Sequence, residues 1–320
     1  FDMDEDGDLD LYVGNQMPSS RYLKRQSAGV NYAYTDNLYR NDSNGKFTIV
    51  TEGAGVKNFA AALSTTASDL NGDGLVDIYV ANDYEEPDLF YVNRGDGTFA
   101  NVAHVSLKHM SNFSMGVDLA DFNNDGDIDL FSSDMVASDN YRSKTNMSGM
   151  NPAKFWRLVN AGYHHQYMFN ALQLNNGNGS FSEIAQMAGV SNTDWSWTAL
   201  FADLDLDGNK DLVVTNGLFR DVRNKDYIHE IEDLVAQHNK NAGSLSKDEL
   251  NQSVYELAIA APSQRLENSA FKNNGDLTFK KIASTWNLNF AGWTQGAAYA
   301  DLDNDGDMDL VMNHMNDKSQ

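Results

Sequence analysis

The sequence predicts an all-β protein, a β-propeller of four-stranded antiparallel blades with helical insertions. Three observations predict it. A nine-residue acidic window recurs five times, an alternating hairpin follows four of the windows, and a strand of small residues leads into each later window. Four short antiparallel strands per repeat is the pattern of a propeller blade.

The windows are DMDEDGDLD (2–10), DLNGDGLVD (69–77), DFNNDGDID (121–129), DLDLDGNKD (203–211) and DLDNDGDMD (301–309). Each reads D-x-[DN]-x-D-G-x-x-D. A solvated acidic loop explains one such window, but not five with glycine held at position 6. The spacing points to calcium, a hard cation that takes six to eight oxygens from carboxylates, amides and backbone carbonyls. Positions 1, 3, 5 and 9 supply the side chains. They are Asp2, Asp4, Asp6 and Asp10 in the first loop, and Asp69, Asn71, Asp73 and Asp77 in the second. The third offers Asp121, Asn123, Asp125 and Asp129, the fourth Asp203, Asp205, Asp207 and Asp211, and the fifth Asp301, Asp303, Asp305 and Asp309. Glycine at position 6 permits the turn that brings in the backbone carbonyl of position 7, which is Asp8, Leu75, Asp127, Asn209 or Asp307. Up to five structural Ca²⁺ ions are therefore expected. Magnesium fits less well, because it keeps its waters and takes few protein ligands.

An EF-hand opens with similar spacing but needs Glu at position 12 and a following helix. Position 12 here is Val13, Val80, Ser132, Val214 or Met312, within short apolar runs such as LYVGN and IYVAN. These are strand formers, so each loop joins two β-strands. Hairpins follow at 37–50, 88–102, 171–184 and 270–282, each an alternating strand, a Gly/Asn/Asp turn and an aromatic opening the next strand. Then come AALSTTAS, NFSMGVDLA, WSWTALFA and GWTQGAAYA, which enter the following loops. The strands amount to four blades and one strand over. The expected whole is therefore a larger propeller, of about seven blades, with 1–320 an incomplete part of it.

Three long insertions, 14–36, 132–169 and 216–268, all follow the strand that leaves a loop, which places them on the face opposite the loops. The second should hold a helix capped by Asn151, with Pro152 in its first turn and Gly162 beyond its end. It presents Phe155, Trp156, Tyr163, His164, His165 and Tyr167. The third should hold one helix over roughly 226–239 and another after the capping box Ser246-x-x-Glu249. Such a face could take a glycan or a protein, or its aromatics could simply pack the insertions onto the rim.

Composition narrows the function. The 320 residues are 41% hydrophobic, carry a net charge of −23 and include no cysteine. Disulfides and thiolate sites are excluded, and the acidity makes nucleic acid an unfavourable partner. No apolar run is long enough to cross a membrane. Of the 46 acidic residues, 18 occupy positions 1, 3, 5 and 9 of the loops, so much of the charge is a fold signal. Asp83, Glu85, Glu86 and Asp88 form the one dense acidic cluster outside the loops. Arg94-Gly95-Asp96 sits in a hairpin turn that other blades echo, and Ser244-x-x-Lys247 reads as the start of a helix.

The loops resemble the FG-GAP/VCBS repeats of integrin-α-like β-propellers, across essentially the whole chain. Residues 133–144 and 166–217 are also similar to VCBS-repeat proteins of Bacteroidota related to the ASPIC/UnbV group. That resemblance implies a secreted or surface-lipoprotein propeller, at the outer-membrane surface, encoded beside TonB-dependent transporters and SusD-like partners. Two departures stand out: Asn71 and Asn123 replace Asp at position 3, and no ASPIC-type C-terminal domain is seen. The expectation is a non-enzymatic, calcium-stabilised binding module, an accessory subunit of a glycan or peptide uptake complex. The alternatives are a carbohydrate-active lyase or hydrolase using the acidic cluster at 83–88, and a purely architectural subunit of a surface assembly.

Overall fold

The computed structural model describes residues 1–16, 35–146, 150–240 and 246–319. The first sheet joins β1 (Leu11–Val13), β2 (Asn37–Asn41) and β3 (Phe47–Ile49). The second is a full four-stranded blade of β4 (Ala62–Ser68), β5 (Asp77–Asn82), β6 (Leu89–Asn93) and β7 (Phe99–Asn101). Between it and the third sheet lies β8 (Met110–Ser111). The third sheet holds β9 (Val117–Ala120), β10 (Asp129–Ser132), β13 (Ala171–Asn175) and β14 (Phe181–Glu183). The fourth is β15 (Asp194–Ala202), β16 (Asp211–Asn216), β18 (Ser269–Asn273) and β19 (Phe279–Lys281), and the last pairs β21 (Thr294–Ala300) with β22 (Asp309–His314). Every pairing within these blades is antiparallel, so the fold is propeller-like and all-β.

The second strand of each full blade is buried along its length, which is why DIYVAN and DLVVTN read as continuous runs rather than alternating ones. Neighbouring sheets pack face to face. Phe122, Phe131, Leu172, Phe201, Leu212 and Phe279 fill the layer between the third and fourth, and Leu70, Tyr79, Phe90, Leu130 and Phe181 that between the second and third. The aromatic that opens each outer strand is the plug: Phe99, Phe181 and Phe279 are all buried against the preceding blade. Phe47 holds the same position in the first sheet but is 49% exposed, because among the described residues no sheet precedes it. The inner strands β4, β9, β15 and β21 lie side by side. At one such approach a Cβ on Gly116 would stand 2.1 Å from the Trp197 carbonyl oxygen, so only glycine fits there.

Polar side chains tie these layers together in a repeated pattern that the sequence reading did not anticipate. The last residue of the third blade strand is always asparagine: Asn41, Asn93, Asn175 and Asn273. Its backbone N–H donates to the Oδ1 of the position-9 aspartate, at 2.8–2.9 Å in all four blades. Its Oδ1 accepts the N–H of the residue two further on, which shapes the hairpin turn. Its Nδ2 reaches the previous blade's loop in three cases: Asn93 to Met3 O at 2.9 Å, Asn175 to Leu70 O at 2.9 Å and Asn273 to Phe122 O at 2.7 Å.

A second repeated contact sits at the other end of the blades. The residue before the third strand is Asp36, Asp88, Asn170 or Asn268, and its Oδ1 accepts a backbone N–H at or just beyond the end of the second strand. Where it is aspartate, a tyrosine of the second strand donates to its other oxygen, Tyr12 to Asp36 at 2.9 Å and Tyr79 to Asp88 at 2.7 Å. Where it is asparagine, Phe131 and Val213 replace the tyrosine and no hydroxyl needs a partner.

The insertions follow β1, β10 and β16, at the end opposite the loops. Most of the first, 17–34, falls outside the described residues, as does Ser244 of the Ser/Lys pair. The short helices are α1 (Ala103–Ser106), α2 (Asn140–Thr145) and α4 (Ala185–Ala188). Helix α3 (Pro152–Asn160) is capped by Asn151, whose side chain accepts the Lys154 N–H, and Gly162 follows its end in the left-handed region. Helix α5 spans Lys225–Lys240, and α6 (Lys247–Ala260) begins with both bonds of the Ser246/Glu249 capping box.

Three pairings go beyond the expected blades. The strand β11 (Met135–Val136), from the second insertion, adds to the edge of the fourth sheet. In addition β8 pairs in parallel with β12 (Gln166–Tyr167), and β17 (Leu266–Glu267) pairs with β20 (Ala291–Gly292). The Asn175→Ala variant loses both bonds from Nδ2 and the turn bond to Oδ1, all in a largely buried site. It should cost about 2–4 kcal/mol in denaturant unfolding, against about 0.5 kcal/mol or less for the exposed Asn176→Ala. Equal losses from the two variants would show that the bonds between blades contribute nothing.

Candidate metal centres

The five acidic loops have one backbone conformation. Position 6 is left-handed in all of them, with φ of 91°, 90°, 94°, 91° and 98° at Gly7, Gly74, Gly126, Gly208 and Gly306. Position 4 is left-handed too, at Glu5, Gly72, Asn124, Leu206 and Asn304, a requirement hidden from the sequence because those side chains differ. The turn is held by its own aspartates. The N–H of position 6 donates to the position-1 carboxylate (Asp2, Asp69, Asp121, Asp203, Asp301) at 2.8–3.1 Å. The N–H of position 7 donates to the position-5 carboxylate (Asp6, Asp73, Asp125, Asp207, Asp305) at 2.9–3.2 Å. Side chains at position 7 turn toward the hairpin of the same blade. The Leu75 and Asp127 side chains approach Gly95 and Gly177, and Ser43 donates to Asp8.

Position 9 is the buried member. Asp10, Asp77, Asp129 and Asp211 accept the asparagine N–H on Oδ1 and the N–H of position 2 on Oδ2, the latter at 2.7–3.2 Å. In the last loop Asp309 accepts from Leu302 in the same way. Burial outweighs these bonds. It pushes the carboxyl of Asp77 up to about 6, Asp129 to about 7 and Asp211 to about 6, and the loop's other acids add repulsion.

Three loops bring carboxylate oxygens within 4.8 Å of one another: Asp2, Asp4 and Asp6; Asp203, Asp205 and Asp211; and Asp301, Asp303 and Asp309. These clusters could hold a metal ion. Several observations fit a hard cation there. The Oδ1 of Asp2 is buried with no hydrogen-bond partner, and Asp4 is raised by burial and by Asp6, Asp10 and Asp2. Asp307 is raised by Asp305 beside it. In the second and third loops the position-3 residue is an amide, and Asn71 and Asn123 donate to Asp73 and Asp125 at 2.9 and 2.7 Å. In the fourth loop Lys272 already supplies a cation to Asp205 and Asp207, and holds Asp207 down at about 2.

The other residues singled out by the sequence separate. Asp88 is fully buried, bound to Tyr79, Asn82 and Ser114, so it is a strand-end anchor. Glu85 pairs with Lys154 of α3 at 2.6 Å, and Asp83 is buried beside Tyr84. The acidic cluster therefore does not present a pair of open carboxylates. His164 and His165 do not converge: their rings cross at 87°, and both nitrogens of His164 lie 3.1–3.2 Å from backbone carbonyls. Asp96 of Arg94-Gly95-Asp96 binds Thr98, as Asn178 binds Ser180 and Asp276 binds Thr278 in later hairpins.

On the insertion end, Phe155 packs against Trp156, His165 and Tyr167, and Tyr167 stacks on Phe169. Trp156 points outward at 55% exposure, as do Tyr141 of α2 at 74% and Tyr255 of α6 at 59%. Arg142, on α2, is a residue the sequence reading passed over. Its guanidinium pairs with Asp194 through two bonds of 2.8 and 2.9 Å and also reaches Asp221 and Gln264. It thereby links the second insertion, the fourth blade and the third insertion.

No helix of the described residues is long and apolar enough to cross a membrane. No curated protein matches the chain. Among solved structures it is similar to a lectin of Agrocybe aegerita, described for its specific recognition of non-reducing terminal N-acetylglucosamine. The identity is 16% and the TM-score 0.39, over 87% of this chain and 54% of that one, so the chain spans about half the lectin's length. The model of the FG-GAP-like repeat matches in four places, residues 2–80, 69–132, 158–214 and 256–312, which together cover most of the sequence and all five acidic loops. The chain belongs to the FG-GAP-like repeat family.

Proposed function

We propose that this chain is a non-enzymatic, calcium-stabilised binding module of the cell exterior, holding ions at its loop end and a partner at its insertion end. The observation that carries the reading is the common backbone of the five loops. In three of the loops, carboxylate oxygens from three of the positions 1, 3, 5 and 9 lie within 4.8 Å of one another. Side-chain oxygens of those positions, with the backbone carbonyl of position 7, would ligate up to five Ca²⁺. The donor set is all oxygen, which suits calcium. The ions would act structurally, since each loop joins two strands of one blade and binding free energy becomes folding free energy.

The partner end is the face of the insertions, built on a rigid scaffold and opposite the acidic loops. Its exposed aromatics, Trp156 among them, favour a glycan or a peptide over a phosphate-rich ligand. The resemblance read from the sequence favours an accessory role at the outer-membrane surface, beside a TonB-dependent transporter and its SusD-like subunit. Binding to glycan and peptide arrays tests the face. Trp156→Ala should weaken the captured ligand about tenfold, or about 1.4 kcal/mol, and unchanged binding would move the contact elsewhere.

Calcium itself is tested by melting. Added to chelator-stripped protein at pH 8, it should raise the melting temperature by several degrees or more, and an unchanged value in excess chelator would sink the calcium reading. The pH dependence has a defined sign. Burial raises Asp88 to about 6 and Asp134 to about 7, in the same direction as Asp77, Asp129 and Asp211. A raised carboxyl stabilises the fold fully below its unfolded value of about 3.9, and that contribution is lost as pH climbs through 6–7. Chelated protein should therefore melt higher at pH 5 than at pH 8. The gap between calcium-loaded and chelated protein should narrow over the same descent, because protons compete with the ion. A gap that widens toward pH 5 would contradict this.

A further inference from the structure

The fourth loop differs from the other four in one respect. Lys272, in the strand β18 of the same blade, extends its ammonium onto the loop and contacts Oδ2 of both Asp205 and Asp207, the latter at 2.7 Å. These are positions 3 and 5, two of the side chains a metal would use. The other oxygen of Asp207 is taken as well, by the backbone N–H and side-chain amide of Asn209, at 2.9 and 3.0 Å. Asp207 thus has both oxygens satisfied by donors of this chain.

Equivalent positions in the other blades do not do this. The residue before the asparagine that recurs in each blade is Arg40, Val92, Leu174 or Lys272. Valine and leucine bring no charge. Arg40 is cationic but binds Asp42 in its own hairpin turn through Nε and Nη2, at 3.0 and 2.7 Å, instead of the loop acids. The first loop also holds a buried oxygen without a partner, Oδ1 of Asp2.

We propose that Lys272 is a built-in competitor for the fourth loop's cation, so that this loop folds without metal and is the last of the five to take Ca²⁺. The inference rests on the calcium reading above and refines it. Charge supplies the reason. An ammonium between two carboxylates removes much of the repulsion that a divalent ion would otherwise relieve, so metal entry must first displace it. The lysine side chain is 35% exposed and flexible, so it has room to swing into solvent when the ion enters. The fourth blade would then keep its loop order in low calcium while its neighbours loosen.

Calcium titration of the chelator-stripped 320-residue chain by calorimetry, with wild type and Lys272→Met side by side, tests this. In wild type one weak class of site should stand apart from the tighter ones. In Lys272→Met that class should tighten at least tenfold while the others stay put. Melting supplies a second reading: in chelator the variant should melt below wild type, and in saturating calcium the deficit should vanish. Lys272→Gln, which keeps a polar side chain, should give the same changes if Met impairs folding. Isotherms that superimpose, with calcium still bound by both proteins, would overturn the role of Lys272 alone. Absence of calcium binding in both proteins would overturn the calcium reading, and this inference with it.

Discussion

One buried carboxylate per blade holds this structure together. The aspartate at position 9 of each loop accepts one backbone N–H from its own loop and, in the four blades that continue into a hairpin, another from the strand beside it. The asparagine that donates the second bond also shapes the hairpin turn and, in three blades, grips the loop of the preceding blade. Loop, hairpin and neighbouring sheet therefore form or fail together. The arrangement costs free energy, because a carboxylate taken out of water beside several others is unfavourable even when hydrogen-bonded. A cation bound to the other loop oxygens, as proposed, would offset that cost. The acids are thus part of the fold as well as of the site.

The two ends of the blades follow different rules. At the loop end the five backbones superimpose in kind, down to the left-handed residues at positions 4 and 6. Little variation is tolerated where so many donors converge on so few oxygens. At the opposite end the connections range from the short link 83–88 to insertions containing α3, α5 and α6. Antiparallel strands make this separation unavoidable, since consecutive connections fall at alternate ends. Arg142 then joins two insertions through a buried double ion pair, which costs desolvation and in return fixes their relative placement. A variable face on a rigid frame is suited to recognition.

Much of the architecture was legible in the residues. Glycine at position 6 marked the turn, because only it adopts that conformation without strain, and the alternating runs marked the hairpins. The caps of α3 and α6 were visible as Asn151-Pro152 and Ser246-x-x-Glu249, since a cap is a local hydrogen bond between near neighbours. The asparagine ties were not legible in the same way. Asn175 and Leu70 are separated by 105 residues and meet only because one blade lies on the next. The same holds for β11, two residues that pair with a later blade, and for Asp88, which looked like an open acid and lies beneath a tyrosine and a serine.

The sequence by itself determined the repeat, the four-stranded blade, the acidic loops and the end from which the insertions rise. Those features depend on periodicity and on contacts within a few residues. Only the tertiary structure decided which loop acids lie against a cation of this chain. Lys272 is one of 23 lysines and arginines in the sequence, and its neighbours there are unremarkable. It reaches Asp205 and Asp207 because strand pairing places β18 beside β16, at the mouth of the loop that leads into that strand. Electrostatics acts through distance in space, and that distance is set by the folded chain.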